Sequence, residues 1–192
     1  CRVEDGGVEA ESLAGSRPRG SCEDCDRRLA EELFASAKER TEHALVAKAI
    51  EETLSGLCSD VSVPDGPELM RMPNIQHLST PISGRLNPGL GVLDVVSRLH
   101  PTPAVAGWPR PEAIDVIDRL ELMDRGWYAG PIGWVDLEGD GEFAVALRSA
   151  LVGSNEARLY AGGGIVPGSI PDQEYQETET KFRPIREALG SN

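Results

Sequence analysis

Two pairs of carboxylates are the first chemical signal in this 192-residue chain. Glu39 and Glu42 lie three residues apart in a helix-like segment, and Glu174 and Glu177 repeat the spacing near the other end. Side chains three apart share a helix face, so each pair can aim two carboxylates at one point. Two such faces meeting would make an all-oxygen site for a hard cation such as Mg²⁺, which takes one or two carboxylates, keeps waters and reaches substrate oxygens. On spacing alone, a solvated acidic helix surface is the commoner meaning of such pairs.

Other residues carry weaker signals. Gly162-Gly163-Gly164 follows the strand-like Arg158-Leu159-Tyr160-Ala161, where backbone N–H groups could approach an anion closely; a plain strand-end turn would look the same. Arg148 interrupts the apolar run Phe143 to Leu151. Its planar fork could clamp a carboxylate, or strand alternation could turn it to water. His77 reads as a core histidine with satisfied ring nitrogens. Cys22-Glu23-Asp24-Cys25 is a single CxxC with no second pair and no histidine at finger spacing, so it lacks half of a structural zinc site. The expectation is coincidental spacing and reduced cytosolic thiols.

The elements that must hold these groups follow from periodicity and punctuation. Cys1 to Glu4 and Val8 to Ala14 read as a hairpin about Asp5-Gly6-Gly7, and Gly15 to Gly20 as a loop. Asp24 to Leu57 reads as one long amphipathic helix. Asn74 to Leu86 is a strand, Val92 to Leu99 a short helix stopped by His100-Pro101-Thr102-Pro103, and Glu112 to Leu122 a helix with Pro111 in its first turn. Pro131 to Leu137, Glu142 to Leu151 and Ala157 to Ala161 are strands, and Asp172 to Ala188 closes the chain as a helix. The order predicts an α+β fold with a mostly antiparallel sheet.

Composition narrows the function class. The chain has 19 Lys+Arg against 32 Asp+Glu, a net charge of −13, and only 5% aromatic residues. That balance argues against nucleic-acid partners, which need a basic face or stacking platforms. No apolar run approaches the ~20 residues of a membrane span, so a cytoplasmic protein with no membrane partner is expected. Cys1-Arg2-Val3-Glu4-Asp5 reads as the middle of a strand, with no feature of a signal peptide. The expectation is the C-terminal portion of a longer protein.

Seven segments together resemble, in order, the chorismate-utilising enzymes. Leu13-Ala14-Gly15-Ser16-Arg17-Pro18-Arg19-Gly20 is similar to their LAGT-R-RG loop, and Ser36-Ala37-Lys38-Glu39-Arg40-Thr41-Glu42-His43 to their S-K-[DE]-x-x-EH helix. Ile75-Gln76-His77-Leu78, His100 to Gly107, Arg125 to Gly130, Ala161 to Val166 and Glu174-Tyr175-Gln176-Glu177-Thr178 with Lys181 complete the series. The His-Pro-Thr-Pro-Ala run ending at Ala104 is most similar to isochorismate synthases, because anthranilate and aminodeoxychorismate synthases usually carry Thr there. Ser16 for Thr, Gly163 for Ala and Tyr175 for Trp depart from the family pattern without removing a proposed ligand.

The resemblance implies the C-terminal half of a two-layer α/β sandwich, residues 1–192 being part of one chorismate-binding domain. It implies Glu42 and Glu177 as Mg²⁺ ligands with Glu174 holding a coordinated water. Arg148, Tyr128, Lys181 and the backbone at Gly162 and Gly164 would hold a substrate carboxylate and the enolpyruvyl group, while Gly15, Ser16, His77 and Ala104 shape the ring pocket. The implied reaction adds water at C2 of chorismate as the C4 hydroxyl leaves. The family's lysine base and glutamate acid lie upstream of the Leu13 loop, so neither is expected in this chain. A monomer at full length is implied. A salicylate or anthranilate synthase-like enzyme and a non-catalytic remnant are the alternatives.

Overall fold

The computed structural model describes residues 1–190. Its centre is a pair of long antiparallel strands, β2 (Gly7–Pro18) and β5 (Ile75–Leu86). Along β2 the residues Val8, Ala10, Ser12 and Ala14 are buried and their neighbours Glu9, Glu11 and Leu13 exposed, the period-two pattern of a strand with one covered face. The short β1 (Arg2–Glu4) turns into β2 through Asp5 and Gly6. β3 (Cys58–Ser62) and β4 (Glu68–Arg71) share the other edge of β5, β4 against its first half and β3 against its second. Beyond β1 the sheet continues through β7 (Gly141–Val145) to β6 (Pro131–Val135), all pairs antiparallel in a seven-stranded sheet.

The helix expected over Asp24 to Leu57 is two helices, α1 (Glu23–Ala35) and α2 (Ala37–Ser55). Ser36 breaks it: its backbone is extended, and its side chain accepts a hydrogen bond from the Glu39 N–H. An extended residue with a capping hydroxyl ends one helix and starts the next. α2 lies on the central strands through Val46, Ile50 and Leu54, which join Val8, Ala10, Ile82 and Leu86 in the hydrophobic core. α3 (Val92–Leu99) adds Val92, Val95 and Leu99. The buried stripe of α2 also includes Glu39 and His43 near its start, so the core turns polar toward that end.

Three further expectations are corrected. The loop at Gly15 to Gly20 is largely strand: β2 runs to Pro18, with a register shift between Ala14 and Ser16 where Gly15 takes a left-handed φ of 77°. One extra residue in a ladder produces such a bulge. The strand Glu142 to Leu151 is broken. β7 ends at Val145, Arg148 stands at φ 48°, and β8 (Ser149–Val152) pairs with β9 (Ala157–Tyr160) as a separate two-stranded sheet. Cys22 and Cys25 are joined in a disulfide, not reduced. They occupy the N-cap and third positions of α1, with Cα atoms 5.1 Å apart, inside the span a disulfide bridges. The remaining helices are α4 (Pro103–Ala106), α5 (Arg110–Leu120) and α6 (Pro171–Ala188).

Candidate active site

A cavity of about 180 Å³ opens where the polar start of α2 meets the bulge of β2. The bulge and the helix are made for each other. A Cβ on Gly15 would come within 3.2 Å of Glu39 Cβ and 3.4 Å of Leu78 Cδ1, and the left-handed φ also favours glycine. Glu39, only 5% exposed, accepts from the Ser16 N–H at 3.3 Å and from Arg17 Nη1 at 3.0 Å. Its carboxylate is therefore committed to holding β2 against α2. His43 does similar work deeper in, touching the Ala14 carbonyl at 3.2 Å and Thr80 Oγ1 at 2.7 Å. These anchors leave Glu42, one turn from Glu39, on the cavity wall.

Of the twelve residues that the resemblance assigns to the site, eleven line this cavity: Gly15, Ser16, Glu42, His77, Ala104, Tyr128, Arg148, Gly162, Gly164, Glu177 and Lys181. The twelfth, Glu174, lines an adjoining cleft with Lys38 and Glu177. The glycine segment after β9 packs directly on the carboxylates. A Cβ on Gly164 would stand 3.0 Å from Glu42 Oε1, and one on Gly163 would stand 3.8 Å from Glu174 Oε2. Lys181 Nζ donates to the Gly162 carbonyl at 3.0 Å and pairs with Glu177 at 2.8 Å. Tyr128 stacks on Tyr160 with centroids 5.3 Å apart.

His77 is not a core histidine with bland partners. Its Nδ1 is 2.8 Å from Ser16 Oγ and its Nε2 is 3.4 Å from Arg148 Nη2. A guanidinium can only donate, so Nε2 accepts and Nδ1–H donates to Ser16. Burial, and then the charge of Arg148, push the ring pKa down to about 4, which keeps it neutral. Arg148 is half-buried, forms no ion pair among the described residues, and has its pKa lowered by burial against the pull of Glu177. A desolvated guanidinium with no ion-pair partner is poised for an anion.

The same region gathers several carboxylates. Burial, then the neighbouring Glu39 and Glu177, raise the Glu42 pKa. Glu174 is 8% exposed; burial would raise its pKa, but hydrogen bonds from Lys38 and Ser169 hold it below the usual value. Glu177 pairs with Lys181. Among the described residues no group of three His, Cys, Asp or Glu side chains is gathered to hold a metal ion. The donors nevertheless fit a hard divalent cation in type, being carboxylate oxygens, and in charge, since Glu42 is destabilised by like charges that a cation would offset. Lys38 and Lys181 are the counter-ions that such a cation would have to replace.

Sequence reasoning passed over Lys38, Arg125, Glu121 and Leu147. Arg125 pairs with Glu121 and donates to the Val105 carbonyl at 2.9 Å, tying α4 to the cavity rim. The signal existed for two of them: Lys38 adjoins Glu39, and Arg125 opens the Arg-Gly-Trp-Tyr segment.

The family profile described as "Chorismate binding enzyme" matches residues 1–190. The chain belongs to the chorismate-binding enzyme family. Isochorismate synthase MenF of Bacillus subtilis is 48% identical over 187 residues, which cover 97% of this chain and 40% of that protein. The salicylate biosynthesis isochorismate synthase of Pseudomonas aeruginosa is 47% identical over 190 residues, 99% of this chain and 40% of that one. The crystal structure of DhbC from Bacillus anthracis matches with a TM-score of 0.96 at 43% identity, covering 100% of this chain and 51% of that chain. The chain thus spans about half, or less, of the relatives it matches. Its mixed helix and antiparallel-sheet architecture is that of the matched structures.

Proposed function

We propose that this chain supplies the substrate- and metal-binding side of an isochorismate synthase, which converts chorismate to isochorismate by adding water at C2 as the C4 hydroxyl leaves. The observation that carries the reading is the pairing of charges in one cavity. A half-buried Arg148 with no ion-pair partner among the described residues lines it together with the carboxylates of Glu42 and Glu177. A neutral ligand would leave both kinds of charge uncompensated. A dicarboxylate could place one carboxylate on Arg148, and Glu42 and Glu177 could hold a cation that offsets the charge of the other.

In this reading Glu42 and Glu177 bind Mg²⁺ and Glu174 orients one of its waters. Bound Mg²⁺ supplies positive charge between protein and substrate carboxylates and offsets their repulsion. Arg148 orients the other carboxylate, with Tyr128, Lys181 and the backbone at Gly162 and Gly164. Burial and the Arg148 charge keep the His77 ring neutral and its Nδ1–H bond to Ser16 fixes it, so it shapes the ring pocket and leaves the Arg148 charge to the substrate. Gly15 and Ala104 bound the pocket. The two proton transfers are assigned to a lysine base and a glutamate acid, which the resemblance places ahead of Leu13. The reading includes a cytoplasmic, monomeric enzyme without nucleic-acid partners; the −13 charge supports the last of these. No helix among the described residues is long and apolar enough to cross a membrane.

The test is isochorismate formation from chorismate by the protein translated from its complete reading frame, followed chromatographically with and without EDTA. Turnover should require Mg²⁺ and should fall by about two orders of magnitude or more in Glu177→Ala, as loss of a metal ligand disables the site. Formation of anthranilate from chorismate and ammonia, or of salicylate alone, would move the assignment to another branch of the family. Turnover indifferent to EDTA would remove the metal role.

A further inference from the structure

The first turn of α1 is unrelated to the cavity and carries its own chemistry. We propose that Cys22 and Cys25 form a thiol–disulfide exchange site, a reversible couple whose reaction partner is a low-molecular-weight thiol or its disulfide. Cys22 is exposed and Cys25 half-buried, so small thiols can reach the pair, whereas Cys58 is buried. Closing a ring across a sequence separation of only 3, Cys22 to Cys25, restricts the unfolded chain little. The bond is therefore a poor structural staple.

The fold holds the two cysteines together independently of the bond. Asp26 N–H donates to the Cys22 carbonyl at 2.8 Å, and the Gly20 N–H donates to Asp26 Oδ1 at 2.8 Å. Arg19 grips both oxygens of Asp26, at 2.8 and 2.9 Å. Gly20 lies so close that a Cβ there would stand 2.2 Å from Asp26 N and 2.6 Å from the Cys25 carbonyl carbon. The first turn is thus clamped from both sides, and opening or closing the sulfur bridge requires little movement. The helix N-terminus favours thiolate, while Glu23, Asp24 and Asp26 in the same turn oppose it.

In the oxidising direction one cysteine thiolate attacks a small disulfide RSSR, forming a mixed disulfide and releasing RS⁻. The second thiolate attacks the protein sulfur of that bond, forming Cys22–Cys25 and releasing the second RS⁻. Two protein thiols lose two electrons and two protons, and RSSR takes them up as two RSH.

The protein translated from its complete reading frame, equilibrated in glutathione buffers of graded redox ratio, acid-quenched and alkylated after denaturation, gives the state of the peptide holding both cysteines by mass spectrometry. The expected result is a single two-electron titration between dithiol and intramolecular disulfide. Its equilibrium constant should favour the disulfide about tenfold more in the folded chain than in guanidinium. Equal constants in both states, or only dithiol and singly glutathionylated peptide at every ratio, would overturn the proposal. Cys22→Ser keeps an oxygen cap on α1 and should stop at one glutathione on Cys25. Failure to form that adduct also overturns it, because Cys25 would then be out of reach.

Discussion

At the scale of single residues, Arg148 and His77 make separable predictions. Arg148 holds a charge with no ion-pair partner among the described residues in a half-buried position, so it costs the free protein stability and returns it when an anion arrives. Arg148→Met should leave the melting temperature unchanged or slightly raised while lowering kcat/KM for chorismate by about thirtyfold or more, the loss of ~2 kcal/mol of charged hydrogen bonding. Calorimetry beside steady-state kinetics checks both halves. His77 is 5% exposed and its pKa is pushed down to about 4, from burial first and Arg148 next. Its unfolded value lies near 6.5. Because the folded value is the lower, neutral His77 contributes its full stability above about pH 6.5 and loses it as pH falls toward 4, by at most ~3 kcal/mol. Denaturant titrations between pH 7 and 4 should show this slope, reduced in His77→Gln.

At the scale of elements, the bulge of β2 and the start of α2 behave as one joint. Gly15→Ala places a Cβ against Glu39 at 3.2 Å in a left-handed conformation, which should cost about 1–2 kcal/mol from the backbone alone. The expected reading is a lower denaturation midpoint with the m-value unchanged. Much of this joint was legible. The spacing of Glu39 and Glu42 placed both carboxylates on one helix face, and Ser36-Ala37-Lys38-Glu39 is an S-x-x-E capping pattern that marks the break between α1 and α2. The break was missed because apolar periodicity runs on through Leu29, Leu33 and Ala37 as if one helix continued. Arg148 was illegible for a different reason. Alternation assigns a side chain to a face only while a strand lasts, and the strand ends before Arg148. That Glu39 serves β2, while Glu42 faces the cavity, depends on the bulge, a contact 23 residues apart in sequence.

At the scale of the whole molecule, burial is uneven. The core under α2 is closed, but α5 and β6 bury no residue. Leu122, Leu137, Trp127 and Ile165 are 103%, 100%, 81% and 74% exposed. β6 is an edge strand with Ile132 and Trp134 exposed, the kind of edge that invites aggregation. Stability follows contact, so amides of β2, β5 and α2 should exchange slowest and those of α5, β6 and the β8–β9 ribbon fastest. The 192 residues expressed by themselves should be poorly soluble or melt without a sharp transition. Uniform protection through β6 with a cooperative melt would contradict this.

The left-handed residue at position 148 has a consequence for how the chain tolerates change in length. It lies between the large sheet and the β8–β9 ribbon and carries a cavity guanidinium; the ribbon in turn delivers Gly162 to Gly164 to the wall that holds Glu42. Both groups are therefore measured from one kink. Residues inserted in the turn between Val152 and Ala157 lie at the ribbon's far end and leave both groups in register. A single residue inserted between Val145 and Ser149 would re-aim the guanidinium and shift the glycines together, so insertions among homologues should collect at the first place and be absent from the second.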